Sequence, residues 1–169
     1  MRRGVVSLAV QAAGWTPARF PVVTLAGFSK GGVVLNQVLA DIGNAEARQL
    51  SSTIAAFLAA LQTVHYLDVG LGCRGAFLTD PGALDGLARQ VAAPAAPRSF
   101  RIVFHVTPRT REPRHMPWIA AERARMLALL RERRVGCELC EHFGDRRDDS
   151  LDLHFQVHSA WRQAAICCD

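Results

Sequence analysis

Residues 20–42 read FPVVTLAGFSKGGVVLNQVLADI. Phe20 to Ala26 is an almost continuous apolar run rich in β-branched residues, the pattern of a strand covered on both faces. From Gly32 onward Val34, Leu35, Val38, Leu39 and Ile42 recur at helical spacing. Between the two lies Gly27-Phe28-Ser29-Lys30-Gly31, a G-x-S-x-G turn. Strand, G-x-S-x-G and helix together are the context of a nucleophile elbow, which lifts a serine hydroxyl above the carboxyl ends of the strands. Such a turn is sharp, and glycine is needed where the helix passes close to the strand; Gly27 and Gly31 are expected to relieve those contacts, helped by Gly32. The backbone N–H of Lys30, near the helix N-terminus, is placed to stabilise a developing oxyanion.

The same alternation continues along the chain. Ala45 to Leu61 reads as a second helix, and Thr63 to Asp68 (TVHYLD) as a buried strand. After the glycine-rich Val69 to Gly75, a helix is predicted over Pro81 to Val91, with Pro81 in its first turn. Ala92 to Pro97 is a loop, Phe100 to Val106 a third strand. Pro117 to Arg134 is an amphipathic helix with Ile119, Met126, Leu129 and Leu130 inward. Val135 to Phe143 is a fourth strand, Gly144 to Asp152 a polar loop and His154 to Ile166 a closing helix. Upstream, Ser7 to Ala13 is a candidate short helix. This order calls for one α/β domain over residues 1–169: a parallel sheet with right-handed crossovers and helices on both faces, α/β-hydrolase-like around the elbow.

A nucleophilic serine needs a base, and the base an orienting carboxylate. In this architecture the chain order is serine, acid, histidine, with the histidine after the last strand. His154 has that loop-to-helix placement, whereas His142 ends the strand and His158 lies one helical turn further on. Two acids compete. Asp68 ends the strand beside the nucleophile strand; Glu112 lies in the loop after the next one. Asp68 is favoured because a strand end holds a side chain more rigidly. Asp80 and Asp85 fall at or in a helix.

The net charge is +5 and the pI about 9.4. All but one of the basic residues are arginines, Lys30 being the exception, and they are scattered. The densest group, Arg123, Arg125, Arg131, Arg133 and Arg134, is interleaved with Glu122 and Glu132 and reads as a solvated helix face. With no reader module beside it, the charge does not call for nucleic acid. No apolar run is long enough to span a bilayer. Cys73, Cys137, Cys140, Cys167 and Cys168 do not form a secreted disulfide framework. In the strand that holds Cys137-Glu138-Leu139-Cys140, positions three apart face opposite ways, so a shared metal is not expected and the cysteines read as small core residues. Nor does Lys30-Gly31-Gly32 have the order of a phosphate-binding loop, so no cofactor is implied. Met1-Arg2-Arg3 before Gly4 to Val10 has a presequence-like composition. Because Trp15 to Phe20 leads straight into the first strand, however, the segment reads as part of the fold.

Four stretches, in the same order, resemble a mitochondrial α/β-hydrolase-like family first known as an open reading frame on chromosome 2. They are Gly27 to Leu39 (GFSKGGVVLNQVL), Tyr66-Leu67-Asp68 followed by glycines and Thr79-Asp80, Phe104-His105-Val106-Thr107-Pro108 up to Trp118-Ile119, and His154-Phe155-Gln156-Val157-His158. The resemblance implies residence in mitochondria, a role in mitochondrial homeostasis and serine-hydrolase-like chemistry on an unidentified acyl substrate. The sequence departs from that pattern at Val69-Gly70-Leu71, where a Gly-Gly-His run is expected. Members of the family are also about twice as long. The part before Phe20 should carry further strands and the loop donating a second oxyanion N–H. This chain is therefore expected to resemble the C-terminal half of the family, to leave its first strand as an apolar edge, and to have little activity by itself.

Two functions compete. In the first, Ser29 attacks an ester, thioester or amide carbonyl, His154 moves the proton and Asp68 orients the imidazole. In the second, the chain is a catalytically inactive hydrolase-fold module that binds or scaffolds a mitochondrial protein.

Overall fold

The computed structural model describes residues 22–45, 52–93, 99–113, 116–146 and 150–166. The candidate helix Ser7 to Ala13, the segment leading to Phe20, most of the Ala92 to Pro97 loop, and Cys167 and Cys168 lie outside them. Four strands form one sheet: β1 (Val23–Phe28), β2 (Leu61–Leu67), β3 (Arg101–Val106) and β4 (Gly136–Glu141). All pairs are parallel and the strand order follows the chain, β1-β2-β3-β4. The helices are α1 (Gly32–Asn44), α2 (Ser52–Ala60), α3 (Pro81–Val91), the single turn α4 (Pro108–Arg111), α5 (Trp118–Glu132) and α6 (Leu151–Ile166). Each predicted element between residues 20 and 166 has a counterpart, shifted at its ends by a few residues. The start expected for α2 at Ala45 is followed by residues outside the described ones, and the helix is described from Ser52.

Alternation along the strands assigns the two faces. Val64 and Tyr66 of β2, with Ile102 and Phe104 of β3, enter a core built with Leu35 and Leu39 of α1, Leu84 and Leu87 of α3, and Met126 and Leu130 of α5. Tyr66 and Phe104 stack with ring centroids 4.5 Å apart. The Tyr66 hydroxyl donates to Asn36 of α1 at 2.8 Å, so this buried polar group is satisfied. The intervening residues His65 and His105 point the opposite way, where Trp161 of α6 packs on His65 at 5.1 Å. Helices therefore cover both faces.

The arginine-rich helix α5 departs from its sequence reading. Arg123, expected on the solvated face, is 6 % exposed and donates to the Thr110 carbonyl at 2.8 Å. Arg133 is drawn down onto α3, paired with Asp85 at 2.7 Å. Neither contact is visible in the charge pattern, because each acceptor is supplied by another element. Asp80 behaves as a helix start should, its carboxylate accepting from the Ala83 N–H at 2.8 Å.

Among the described residues β1 is a sheet edge. Thr24 and Ala26 are exposed, as are Val22 before it and Val33 and Val34 on α1. On the buried side α1 and α3 cross where Gly43 meets Gly86. A Cβ on Gly86 would strike the Gly43 carbonyl, and one on Gly43 the Ala83 carbonyl. Both obstacles are backbone, which cannot rotate away. Gly86→Ala is therefore expected to destabilise the fold by about 2 kcal/mol or more, as overpacking does. Urea unfolding of the two proteins would read this, and coincident midpoints would mean that the helices separate without cost.

Candidate active site

Three polar side chains arrive at the carboxyl end of the sheet from different elements. The first comes from the turn after β1. Ser29 has φ +52° and opens a 3-10 turn, Ser29–Gly31, that runs into α1. A non-glycine residue in this left-handed region is strained by about 1–3 kcal/mol unless its surroundings impose it. The imposing contacts differ in part from expectation. A Cβ on Gly27 would lie 2.7 Å from the Leu35 side chain and 2.8 Å from the Gly31 carbonyl, and one on Gly32 would run into Val69. A Cβ on Gly31 meets nothing within 4 Å. The close approach thus falls on Gly27 and Gly32, because Gly31 already has ordinary helical torsions that turn its open side outward.

The second side chain is Asp68, directly after β2, with φ +44°. It is 0 % exposed. Oδ1 accepts the Thr107 N–H at 2.8 Å and a short hydrogen bond from the Thr110 hydroxyl. Oδ2 accepts the Thr107 hydroxyl at 2.8 Å and lies 2.6 Å from His154 Nδ1. Burial by itself pushes this carboxyl up. The hydrogen bonds from His154, Thr110 and Thr107 outweigh it and hold the group below the usual carboxylate range. An ionised carboxylate can only accept, so in the neutral imidazole of His154 the proton sits on Nδ1 and the lone pair on Nε2.

His154 itself is buried in the first turn of α6, its N–H on the Ser150 carbonyl. The expectation placed it where loop meets helix; the helix begins three residues earlier, at Leu151. Its ring lies against Phe28, centroids 4.4 Å apart, and Phe28 also carries His158 at 4.3 Å. The residue just before Ser29 thereby props the imbedded imidazole. Ser29, Lys30, Asp68 and His154 line one cavity of about 260 Å³, with Arg109, Met116, Ile119 and Leu151 completing much of its wall.

The other candidates lie elsewhere. Glu112, the rival acid, has a side chain 81 % exposed and pairs with Arg111 at 3.5 Å. Among the described residues no group of His, Cys, Asp and Glu is arranged to hold a metal ion. Cys137 and Cys140 sit in β4, half-buried. Cys73 corrects the core reading of the cysteines, since it is exposed in the loop after β2. Sequence reasoning missed Thr107, Thr110 and Arg123. The available signal was register: Leu67 pairs with His105, which sets Asp68 level with Val106 and Thr107 one residue beyond it.

It also missed a row of histidines. His65 Nδ1 and His105 Nε2 are 2.9 Å apart, and His105 Nδ1 and His142 Nε2 again 2.9 Å. Burial, aided by Arg101, lowers His65 to about 4. Burial and its two imidazole neighbours lower His105 to about 3. Burial lowers His142 as well, against the pull of Asp68. These values lie below those of the unfolded chain, so on acidification the unfolded state binds protons first. The stability owed to neutral imidazoles is complete above about pH 6.5 and is lost as pH falls from there toward the folded values. Thermal midpoints should accordingly decline between about pH 7 and 5, above the range in which most carboxylates titrate, and His105→Leu should flatten that decline. Equal slopes in the two proteins would contradict the assignment.

A sequence model of the C2orf69 family matches residues 15–136. The chain belongs to the C2orf69 family. The mouse "Mitochondrial protein C2orf69 homolog" is 30 % identical over 139 residues, covering 82 % of this chain and 35 % of the mouse protein. Human "Mitochondrial protein C2orf69" is 31 % identical over 82 % of this chain and 33 % of its own length. The zebrafish homologue is 34 % identical over 84 % and 39 %. This chain thus spans about a third of the curated C2orf69 relatives it matches. Their names place them in mitochondria, which supports a mitochondrial location here. No solved structure is matched with significance. Among the described residues no helix is long and apolar enough to cross a membrane.

Proposed function

We propose that this C2orf69-family chain carries a serine-hydrolase-like acyl-transfer site on an α/β-hydrolase-like sheet. The observation that carries the reading is the 2.6 Å contact between Asp68 and His154, made across 86 residues and opening on the cavity that Ser29 lines. Ser29 Oγ attacks an ester, thioester or amide carbonyl while His154 Nε2 takes its proton. The same proton is returned to the leaving alcohol, thiol or amine as the acyl-serine forms. Water then attacks the acyl-serine, giving its proton to Nε2, and Ser29 is regenerated as the acid departs. Asp68 fixes the tautomer and offsets the imidazolium charge at each step. The Lys30 N–H belongs to a first helical turn, whose amides have no intrahelical acceptor, and faces the developing oxyanion.

The cavity wall narrows the substrate class. Met116, Ile119 and Leu151 suit an apolar acyl group. The acid on the wall is Asp68, whose oxygens are already engaged, whereas Lys30 and Arg109 add positive charge. Neutral or anionic substrates are therefore favoured over cationic ones. Since the chain spans about a third of its relatives, further parts of the family's fold would supply the second oxyanion N–H and the remaining wall.

The second reading is a binding or scaffolding module. It is favoured by one observation: among the described residues no hydrogen bond joins the Ser29 hydroxyl to His154. Nucleophile–base contacts are commonly loose without substrate, so the catalytic reading stands first. A fluorophosphonate probe separates the two. Labelling is expected at Ser29 with fluoride released, absent in Ser29→Ala and slowed about 100-fold or more in His154→Ala and Asp68→Asn. A folded wild-type chain that takes no label at Ser29 would leave the scaffold reading.

A further inference from the structure

Helix α5 offers solvent a row of arginines, but Arg123 turns inward. It is buried, and its guanidinium Nη1 holds the Thr110 carbonyl at 2.8 Å. Thr110 is the residue whose hydroxyl is bound to Asp68 Oδ1, and it also lines the cavity. We infer that Arg123 is a positioning residue that sets the proton affinity of His154, acting through Thr110 on Asp68. The inference rests on the reading of Asp68 and His154 as the working pair.

The physical case has two parts. A guanidinium keeps its charge inside proteins, and a buried cation needs an anion or several acceptors near it. Asp68 supplies that countercharge: burial lowers the proton affinity of Arg123, while Asp68 first and Glu141 second raise it. Between the two ions stands Thr110, tied to the cation by its carbonyl and to the carboxylate by its hydroxyl. Drawing charge off Oδ1 in this way leaves Asp68 a weaker acceptor for the His154 Nδ1–H. The imidazolium is then less favoured than it would be beside a carboxylate without these donors.

Other charged and titratable groups surround the pair. Lys30 follows Ser29 and Arg109 stands on α4, both at the cavity wall. His142 after β4 feels Asp68, and His158 of α6 packs on Phe28. Glu141 ends β4, within 3.5 Å of Arg111. All of them remain in the variants below, so a change in His154 belongs to Arg123 or Thr110.

A role confined to clipping α5 to α4 needs a donor, not a charge. The proposed role needs both. NMR titration of the His154 imidazole in wild type, Arg123→Gln, Arg123→Lys and Thr110→Val distinguishes them without requiring turnover. Arg123→Gln should raise the His154 midpoint by about half a unit or more, as loss of a nearby like charge does. Arg123→Lys should stay near wild type. Thr110→Val should raise the midpoint in the same direction, and it decides the matter if Arg123→Gln does not fold. Unchanged midpoints in folded Arg123→Gln or Thr110→Val overturn the inference, as does an equal rise in Arg123→Lys and Arg123→Gln. Absence of probe labelling at Ser29 would instead sink the hydrolase reading and leave the titration result intact.

Discussion

The carboxylate of Asp68 is the joint on which this end of the molecule depends. It leaves β2, receives the backbone and hydroxyl of Thr107 beyond β3, takes the hydroxyl of Thr110 on α4, and binds His154 of α6. Four donors on two oxygens are what allow a charge to sit at 0 % exposure. They also cross-link segments that no strand pairing joins. Removing one partner would leave a buried charge short of a donor, which costs far more than the contact contributes when whole. The first turn of α6 is therefore fixed by chemistry as well as by packing. Its partner residues Leu153 and Val157 bury against the sheet on either side of that contact.

Strain is concentrated at the same end. Ser29 and Asp68 both follow neighbouring parallel strands, and both have positive φ. Two left-handed non-glycine residues side by side would be selected against in an ordinary connection. Here each is held by something specific: Ser29 by the approach of α1 over Gly27 and Gly32, Asp68 by its N–H on the His105 carbonyl at 2.8 Å and by its four acceptor bonds. The carboxyl ends of parallel strands are where open α/β sheets bind their ligands. Observed strain in that place is a reason to look for function.

How much of this could be read beforehand depended on the range of the interaction. The strand–turn–helix at residues 20–42 is local, since period and glycine spacing lie within one window. So are the proline start of α3 and the Asp80 cap. The choice of Asp68 over Glu112 rested on a local fact too, that a strand end is stiffer than a loop, and the geometry puts Glu112 in solvent. What stayed hidden was non-local. Arg123 looks like any arginine on a polar face until Thr110 is brought beneath it. His65, His105 and His142 are 40 and 37 residues apart, and the parallel sheet makes them diagonal neighbours, with His65 level with Val103 and His105 level with Cys140. Even Gly31, the letter that defines the motif, proves less constrained than Gly32 outside it.

The exposed flank of β1 sets a limit on what these residues do unaided. On one side Ser29 is supported by β2, α1 and the Phe28–His154 contact. On the other, Thr24 and Ala26 face outward with no strand beside them among the described residues, and Val22, Val33 and Val34 form an apolar border. An edge strand that carries no charged side chain, VTLAGF, is the kind that natural sheets cover. On the proposed reading the base and its acid, His154 and Asp68, are already joined, whereas among the described residues no strand lies beyond β1 on the Ser29 side. On that reading an oxyanion formed at Ser29 finds the Lys30 amide as its backbone donor among the described residues. The proton-transfer half of the site is, on the same reading, assembled among the described residues, and the oxyanion half is where the longer chain of the family's members would add most.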